Sequence, residues 1–393
     1  MKAVGIVSEY NPFHKGHELH IAETKQALNQ PVIAVMSGNF VQRGDFAILR
    51  KHARAKAAVL GGADLVLELP AAQALLSAEG FAAAAVGALA ATGVVDTVSY
   101  GSECGSTESL REIAAALNSE EFSRLLQEEL PRGESFAKAR QNALIRLIGG
   151  EKANLIEQPN NILGIEYEKV CLARGLQSFT IPRVGAAHDG ETADGIASAS
   201  RIREGLWSGE DMADFLTEGS RTVLAEECAA GRAPVRQNTL ERAILAKLRT
   251  MREEDFSPYD EGGEGLYRRF AAAAAECTSI EELLQRVKTR RYAMARLRRM
   301  LLRSFLGLEE RSYHVPYLRV LACNETGRKL LKEMKTAATL PVITKPAEGR
   351  QLEEPARLAF ETECRCTDLY TLAYPALTES TGGSDWLTGP VIL

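Results

Sequence analysis

Short apolar runs separated by longer segments of helical periodicity set the pattern of the first half of the chain. "KAVGIV", "PVIAVMSG", "DLVLELP" and "VVDTVSYG", all within residues 2–101, are continuous apolar or β-branched stretches, as expected of strands buried on both faces. Between them lie segments with apolar positions three and four apart. One runs from the loop after the first strand to about Gln30, the next is "AILRKHARAKAAVLGGA", closed by a glycine pair, and the third is the Ala-rich "FAAAAVGALAAT". This alternation predicts βαβ units and a parallel sheet. Helices are then expected at "STESLREIAAALN" and "NNILGIEYEKVCLARGL", a strand at "SFTIPRV", and a further helix opening at "SASRIREGL".

The pattern changes near residue 215. "TLERAILAKLRTM", "TSIEELLQRVKTRRYAMARLRRMLLRSF" and "NETGRKLLKEMKTA" read as helices, with Thr278 and Glu281 spaced as a capping box; only "PYLRVLACN" and "LPVITKP" look like strands. "LTEGSRTVLAEECAAGRAPV" shows no regular period and marks the boundary. The expected organisation is an α/β part over 1–215 and a mainly helical part over 216–393.

Composition narrows the class. A chain of 393 residues has material for two or three domains, and its net charge of −5 excludes a polybasic nucleic-acid coat, so any nucleic-acid surface must be local. Seven scattered cysteines without a CxxC pair point to a reduced, cytoplasmic chain. The first apolar run is too short for a signal peptide, and the longest apolar stretch is Ala/Gly-rich and shorter than a bilayer span, so no membrane role is expected.

The densest chemistry lies in "AVGIVSEYNPFHKGHELHIAET". Three of the six histidines, His14, His17 and His20, fall here at intervals of three. A metal site would need partners that the remaining His and Cys residues do not offer, and no metal ligand is expected. A second reading is simple capping of a helix. In the third, a loop after the first strand delivers the chain to a helix N-terminus, where free N–H groups favour an anion, at the sheet edge where ligands bind. Gly16 would let a nucleotide approach the backbone. His14 and His17, one turn apart, would donate to phosphate oxygens that gain charge as pyrophosphate leaves.

"HKGH" after a first strand resembles the HxGH motif of the HIGH-type nucleotidyltransferases. "IASASRIREGL" resembles the Ser-rich segment with which those enzymes hold the outer phosphates of a nucleotide. Ser198, Ser200 and Arg203 would carry that role, with Arg201 as an extra cation; Ala199 stands where the family has a small hydroxyl residue. More specifically, "GIVSEYNPFHKGHELHI", "VMSGNFVQRGDFAI", "ARAKAAVLGGADLVLELP", "QPNNILGIEY" and the SASRIR segment, with "PYLRVLACNETGRKLL" further on, resemble in this order the tRNA(Met) cytidine acetate ligase family. The resemblance implies a Rossmann-like catalytic domain, ATP-dependent activation of acetate to acetyl-adenylate, and acetyl transfer to N4 of the wobble cytidine of elongator methionine tRNA.

Carried onto this sequence, the resemblance makes His14 and His17 catalytic. It makes the loop Val7, Ser8, Glu9, Tyr10, Asn11, Pro12, Phe13, His14, Lys15, Gly16, His17, Glu18, Leu19 and His20 the cradle for ATP. Gly101, Asn161 and Arg183 would complete the nucleotide contacts, and Mg²⁺ would be held mainly by ATP itself. Asn39, Gln42, Arg43 and Asp45 in "SGNFVQRGD" are candidates for acetate or cytidine. The run "RVKTRRYAMARLRRMLLR", read as about five helical turns, offers Arg286, Lys288, Arg290, Arg291, Arg296, Arg298, Arg299 and Arg303 to tRNA phosphates, with Lys329, Lys332 and Lys335 as an extension. The alternatives are a solvated amphipathic helix, a small-molecule adenylyltransferase, and a non-catalytic RNA-binding protein that senses a nucleotide.

Overall fold

The four apolar runs of the first half become neighbouring strands of one sheet. A computed structural model describes residues 1–130, 136–182, 195–263 and 265–393. Its strands are β1 (Ala3–Ser8), β2 (Val32–Ser37), β3 (Phe40–Val41), β4 (Asp45–Phe46), β5 (Leu65–Leu69), β6 (Val95–Ser102), β7 (Gln177–Pro182), β8 (Leu318–Cys323), β9 (Val342–Ile343) and β10 (Val391–Ile392). The sheet runs β10-β8-β5-β2-β1-β6-β7, with β9 also paired to β8. Its strand pairs are parallel except β5 with β8.

Side chains alternate between two cores, as the two-residue period of a strand requires. Ile33 and Val35 of β2 pack with the Ala-rich helix Ala78–Ala91, whereas Val32, Ala34 and Met36 pack with Phe13, Ile21 and the helix Lys51–Leu60. Burial on both sides explains why these strands read as unbroken apolar runs. The small residues of "FAAAAVGALAA" let the helix lie close to β1. A Cβ on Gly5 would come within 2.6 Å of Leu89.

From β1 the chain moves outward to β2 and β5, then returns to the other side of β1 to form β6 and β7. Crossovers on opposite sides leave a crevice beyond the carboxyl ends of β1 and β6, the usual ligand position in an open α/β sheet.

Three features of the second half depart from the sequence reading. The stretch near 210–235 contains a regular helix, Glu218–Ala229, held to the Lys51–Leu60 layer by Arg50–Glu227 (2.9 Å) and Lys56–Glu226 (2.7 Å) ion pairs. Its apolar face is narrow, which hides its period. The long basic segment is two helices, Ile280–Val287 and Met294–Leu306, rather than one. The first is capped by Ser279, which accepts from the Glu282 N–H at 3.1 Å, so the cap lies one residue later than Thr278.

Helices from Glu241 to Leu306 bury Ile244, Phe270, Leu283, Leu297 and Leu301 in a core shared with Phe40, Phe46 and Tyr370. The chain then rejoins the sheet as β8, where Leu65 pairs with Cys323 and Val66 with Ala322. The apolar run of "LRVLAC" marks a strand, but only the fold sets it beside β5.

Candidate functional site

β1 ends at Ser8, and residues 9–14 lead into the helix Lys15–Leu28. Tyr10 takes a left-handed backbone conformation (φ 44°) that is uncommon for a bulky residue. Tertiary packing holds it there: its buried ring meets Phe13 edge-on at 5.0 Å and His17 at 4.9 Å. Phe13 in turn packs flush on Gly61, where a Cβ would come within 2.2 Å of its ring.

His14 is the helix N-cap. Its Nδ1 accepts the Gly16 N–H at 3.1 Å, and the Nδ1 of His17 accepts the His14 N–H at 3.3 Å. The pair is thus a reciprocal capping box made of imidazoles. With both Nδ1 atoms accepting, each neutral ring carries its proton on Nε2. The rings lie 3.8 Å apart, centroid to centroid. Capping and phosphate recognition are therefore compatible, because the cap uses the Nδ1 atoms.

The second motif lies against the first. Ser198 caps the helix Ala199–Ser208 by accepting from the Arg201 N–H at 3.2 Å. Arg203, one turn into that helix, donates from Nη1 to the Asn11 carbonyl at 2.7 Å and from Nη2 to Ser200 Oγ at 3.2 Å. Its Nε is buried with no hydrogen-bond partner among the described residues. A buried, unpartnered guanidinium donor of this kind suits an anionic group such as a phosphate. Burial lowers the Arg203 pKa, opposed by the nearby charges of Glu9 and Asp45. Gly16 sits close where the motifs meet: a Cβ there would lie 3.0 Å from the His14 ring and 3.4 Å from Ile196. Arg201 is directed elsewhere, to Glu210 at 2.5 Å.

The "SGNFVQRGD" segment, expected as a polar loop, forms the antiparallel hairpin β3–β4. It links two parts of the molecule. Glu9 Oε1 accepts the Gln42 N–H at 2.8 Å, while Gly44 (φ +80°) presses on the Met294–Leu306 helix, where a Cβ would meet the backbone of Arg298 and Arg299 at 2.6 Å. Gln42 Nε2 donates to the Leu76 carbonyl, Arg43 is exposed, and Asp45 is half-buried. Asn39 is buried, and its amide is engaged by the Lys51 N–H and Thr367 Oγ1.

Other expected residues are distributed as follows. Val7, Ser8 and Glu9 are half-buried at the end of β1; Asn11 and Pro12 are buried beyond it, with Asn11 Oδ1 accepting the Ile48 N–H at 2.8 Å. Lys15, Glu18 and Leu19 are exposed. His20 turns to the sheet, with Nε2 3.0 Å from Ser99 Oγ. Gly101 lies in β6, opposite Ile181 of β7. Asn161 is fully buried at the carboxyl end of β6, where its Oδ1 accepts the N–H groups of Glu103 (3.0 Å) and Cys104 (3.2 Å) and its Nδ2 donates to Gln158. Its side chain shapes the crevice wall by holding that loop. Arg183 lies outside the described residues.

The HIGH Nucleotidyl Transferase family model matches residues 1–385. The chain is 36% identical over 413 residues to the tRNA(Met) cytidine acetate ligase of Syntrophomonas wolfei, covering 100% of this chain and 99% of that protein. Identity to the tRNA(Met) cytidine acetate ligase of Caldanaerobacter subterraneus is 37% over 387 residues, covering 95% and 96%. The chain belongs to the tRNA(Met) cytidine acetate ligase family. A crystal structure of Thermotoga maritima TmcAL bound with alpha-thio ATP superposes with a TM-score of 0.93 at 34% identity, each chain covered over 100% of its length; an apo form of TmcAL gives 0.95.

Two arrangements of this family member escape a sequence reading. Arg54 is fully buried, and its guanidinium donates to the carbonyls of Leu49 (2.9 Å), Glu9 (2.5 Å), Ser37 (3.0 Å) and Gly38. It thereby ties together the carboxyl ends of β1 and β2. Burial, only partly offset by nearby groups including Glu9, lowers its pKa to about 10. Beside it Lys51 contacts Glu68 (2.6 Å), Asp385 (2.6 Å) and Glu363 (3.3 Å), and Arg319 contacts Asp385 (3.0 Å) and Glu68 (3.3 Å). These five groups come from distant parts of the chain, and no local pattern announces their meeting.

The basic run divides sharply. Arg303 is fully buried and donates to the carbonyls of Ala72 (2.9 Å) and Glu310 (2.7 Å). Arg299 pairs with Glu261 and Arg296 with Asp260, each at 3.0 Å. Arg286 pairs with Glu276, and Lys288 donates to the Thr289 carbonyl. Arg290 and Arg291 are exposed; Arg298 is half-buried beside Asp45. Lys329 pairs with Glu325 on its own helix, and Lys332 and Lys335 are exposed.

Proposed function

We propose that this chain is an ATP-dependent ligase that activates acetate as acetyl-adenylate and transfers the acetyl group to N4 of the wobble cytidine of elongator methionine tRNA. The observation that carries the reading is the hydrogen bond from Arg203 to Asn11. It joins the HxGH loop to the SASRIR helix within a chain similar over its whole length to tRNA(Met) cytidine acetate ligases.

Acetate oxygen attacks the α-phosphorus of ATP, and pyrophosphate departs. His14, His17 and Arg203 stabilise the charge that builds on the phosphate oxygens. The amine of cytidine then attacks the acetyl carbonyl, and AMP leaves. Mg²⁺ would accompany ATP, held mainly by its phosphates. Catalysis is assigned to residues 1–215 and RNA contact to the helical part of 216–393, with Arg290, Arg291 and Arg298 as the leading phosphate contacts; β8, β9 and β10 extend the sheet of the first part. No helix among the described residues is long and apolar enough to cross a membrane.

Purified protein with labelled acetate and tRNA tests the proposal. ATP-dependent label confined to elongator methionine tRNA is expected. ATP consumption without label on tRNA, and without acetate stimulation, would instead identify a small-molecule adenylyltransferase.

A further inference from the structure

The transfer step needs a group that orients a weakly nucleophilic exocyclic amine and removes its proton. A carboxylate is the natural complement, since it accepts hydrogen bonds from the cytosine N4 amine and can act as a base. Three acids compete for that role. Glu9 belongs to the loop assigned to ATP, and Glu68 is sealed in the ion cluster with Lys51 and Arg319. Asp45 is different: it is half-buried on β4, between the two parts of the protein that the reaction must bring together.

Asp45 lies within the electrostatic reach of Arg203, which holds the HxGH loop through Asn11. It is also within reach of Arg298, on the helix against which the hairpin packs through Gly44. One carboxylate oxygen accepts the N–H of Phe46 at 2.8 Å, which fixes the side chain and leaves the second oxygen as an acceptor. Burial raises the carboxyl pKa despite that hydrogen bond and the charges of Arg203 and Arg298, making the carboxylate a better base than an exposed aspartate.

We infer that Asp45 is the group that receives the cytidine amine, positioned by the β3–β4 hairpin between the nucleotide-binding motifs and the basic helix. This rests on the ligase function proposed above. As the N4–C bond forms and the bond from the acetyl carbon to the AMP phosphate oxygen breaks, the departing AMP takes the electron pair. The amine proton passes to the Asp45 carboxylate and then to water. Arg298 sits where a phosphate flanking the splayed base can be held.

The two half-reactions can be measured separately in the full-length protein. Acetate-dependent exchange of labelled pyrophosphate into ATP reports adenylation, and labelled acetate on tRNA reports transfer. Asp45→Asn keeps an oxygen for the Phe46 N–H but cannot take the proton. It is expected to lose transfer by about 100-fold or more, with a much smaller loss of exchange. Transfer near the native rate would overturn the inference, as would equal loss of both half-reactions in folded protein. Asp45→Ser, which also retains an oxygen acceptor, carries the same test if Asp45→Asn does not fold. Native protein without acetate-dependent exchange would defeat the ligase reading itself, and the role of Asp45 with it.

Discussion

Arg203 donates to the carbonyl of Asn11 at 2.7 Å across 192 positions of sequence, and this bond joins the SASRIR helix to the HxGH loop. The same guanidinium holds Ser200 Oγ and keeps its buried Nε without a partner. A planar guanidinium with both terminal nitrogens held by the protein and its Nε–H unpartnered is suited to a phosphate oxygen. Arg203→Lys retains charge but loses the fork. Acetate-dependent pyrophosphate exchange should fall by about 100-fold, and a change smaller than threefold would remove Arg203 from the chemistry.

His14 caps its helix, and substitution can separate that role from the phosphate contact proposed above. His14→Ala should cost about 1 kcal/mol of stability through the lost helix cap, along with a large loss of adenylation. His14→Asn restores a capping oxygen but supplies no Nε2–H in the same place. Its urea midpoint should return toward that of native protein while exchange activity stays low. Recovery of both would make His14 a cap and nothing more.

Burial separates the arginines of the basic run. Arg290→Glu with Arg298→Glu should weaken tRNA binding and reduce the slope of log affinity against log salt by about 0.7–0.9 for each phosphate no longer neutralised. Arg303→Met should act differently, because its guanidinium satisfies two carbonyls inside the protein. A loss of about 2–3 kcal/mol in stability is expected, with an unchanged salt slope for the folded fraction. A salt slope altered by Arg303→Met and unaffected by the surface pair would reverse the assignment.

The cluster around Lys51 predicts a pH dependence of stability. Three carboxylates, Glu68, Glu363 and Asp385, share two cations, Lys51 and Arg319. Burial, with Glu68 and Asp385 nearby, outweighs the Lys51 charge and pushes Glu363 from the ordinary 4.5 up to about 8; Lys51 and Arg319 hold Asp385 below its usual range despite its burial. Between these two Glu363 values the folded state binds the extra proton. Stability should therefore fall as pH rises across that window, by up to about 1.4 kcal/mol per unit. Asp385 has the opposite sign, its contribution being present at neutral pH and lost on acidification. Urea midpoints from pH 5 to 9 should show the decline in native protein, and Glu363→Gln should remove it. The same slope in both proteins would rule out Glu363 as its source.

Local pattern alone determined much of this protein. Apolar runs buried on both faces, alternating with helical periods, specified β1, β2, β5, β6 and β7 and the helices Lys15–Leu28, Lys51–Leu60, Ala78–Ala91, Thr107–Leu117 and Pro159–Arg174, because strand and helix periodicity depend on near neighbours. The placement of His14 at a helix start after the first strand followed from the same signals, as did the small residues that bring the Ala78–Ala91 helix close to Gly5. The tertiary structure decided what depends on contacts distant in sequence. It seated β8 against β5, folded "SGNFVQRGD" into a hairpin between the site and the basic helix, and enclosed Arg54 beneath the strand ends. It also divided one uninterrupted basic run into buried supports and exposed cations. Charge can be read from composition, but whether an arginine meets a carbonyl, a carboxylate or water is fixed only when remote segments pack against it.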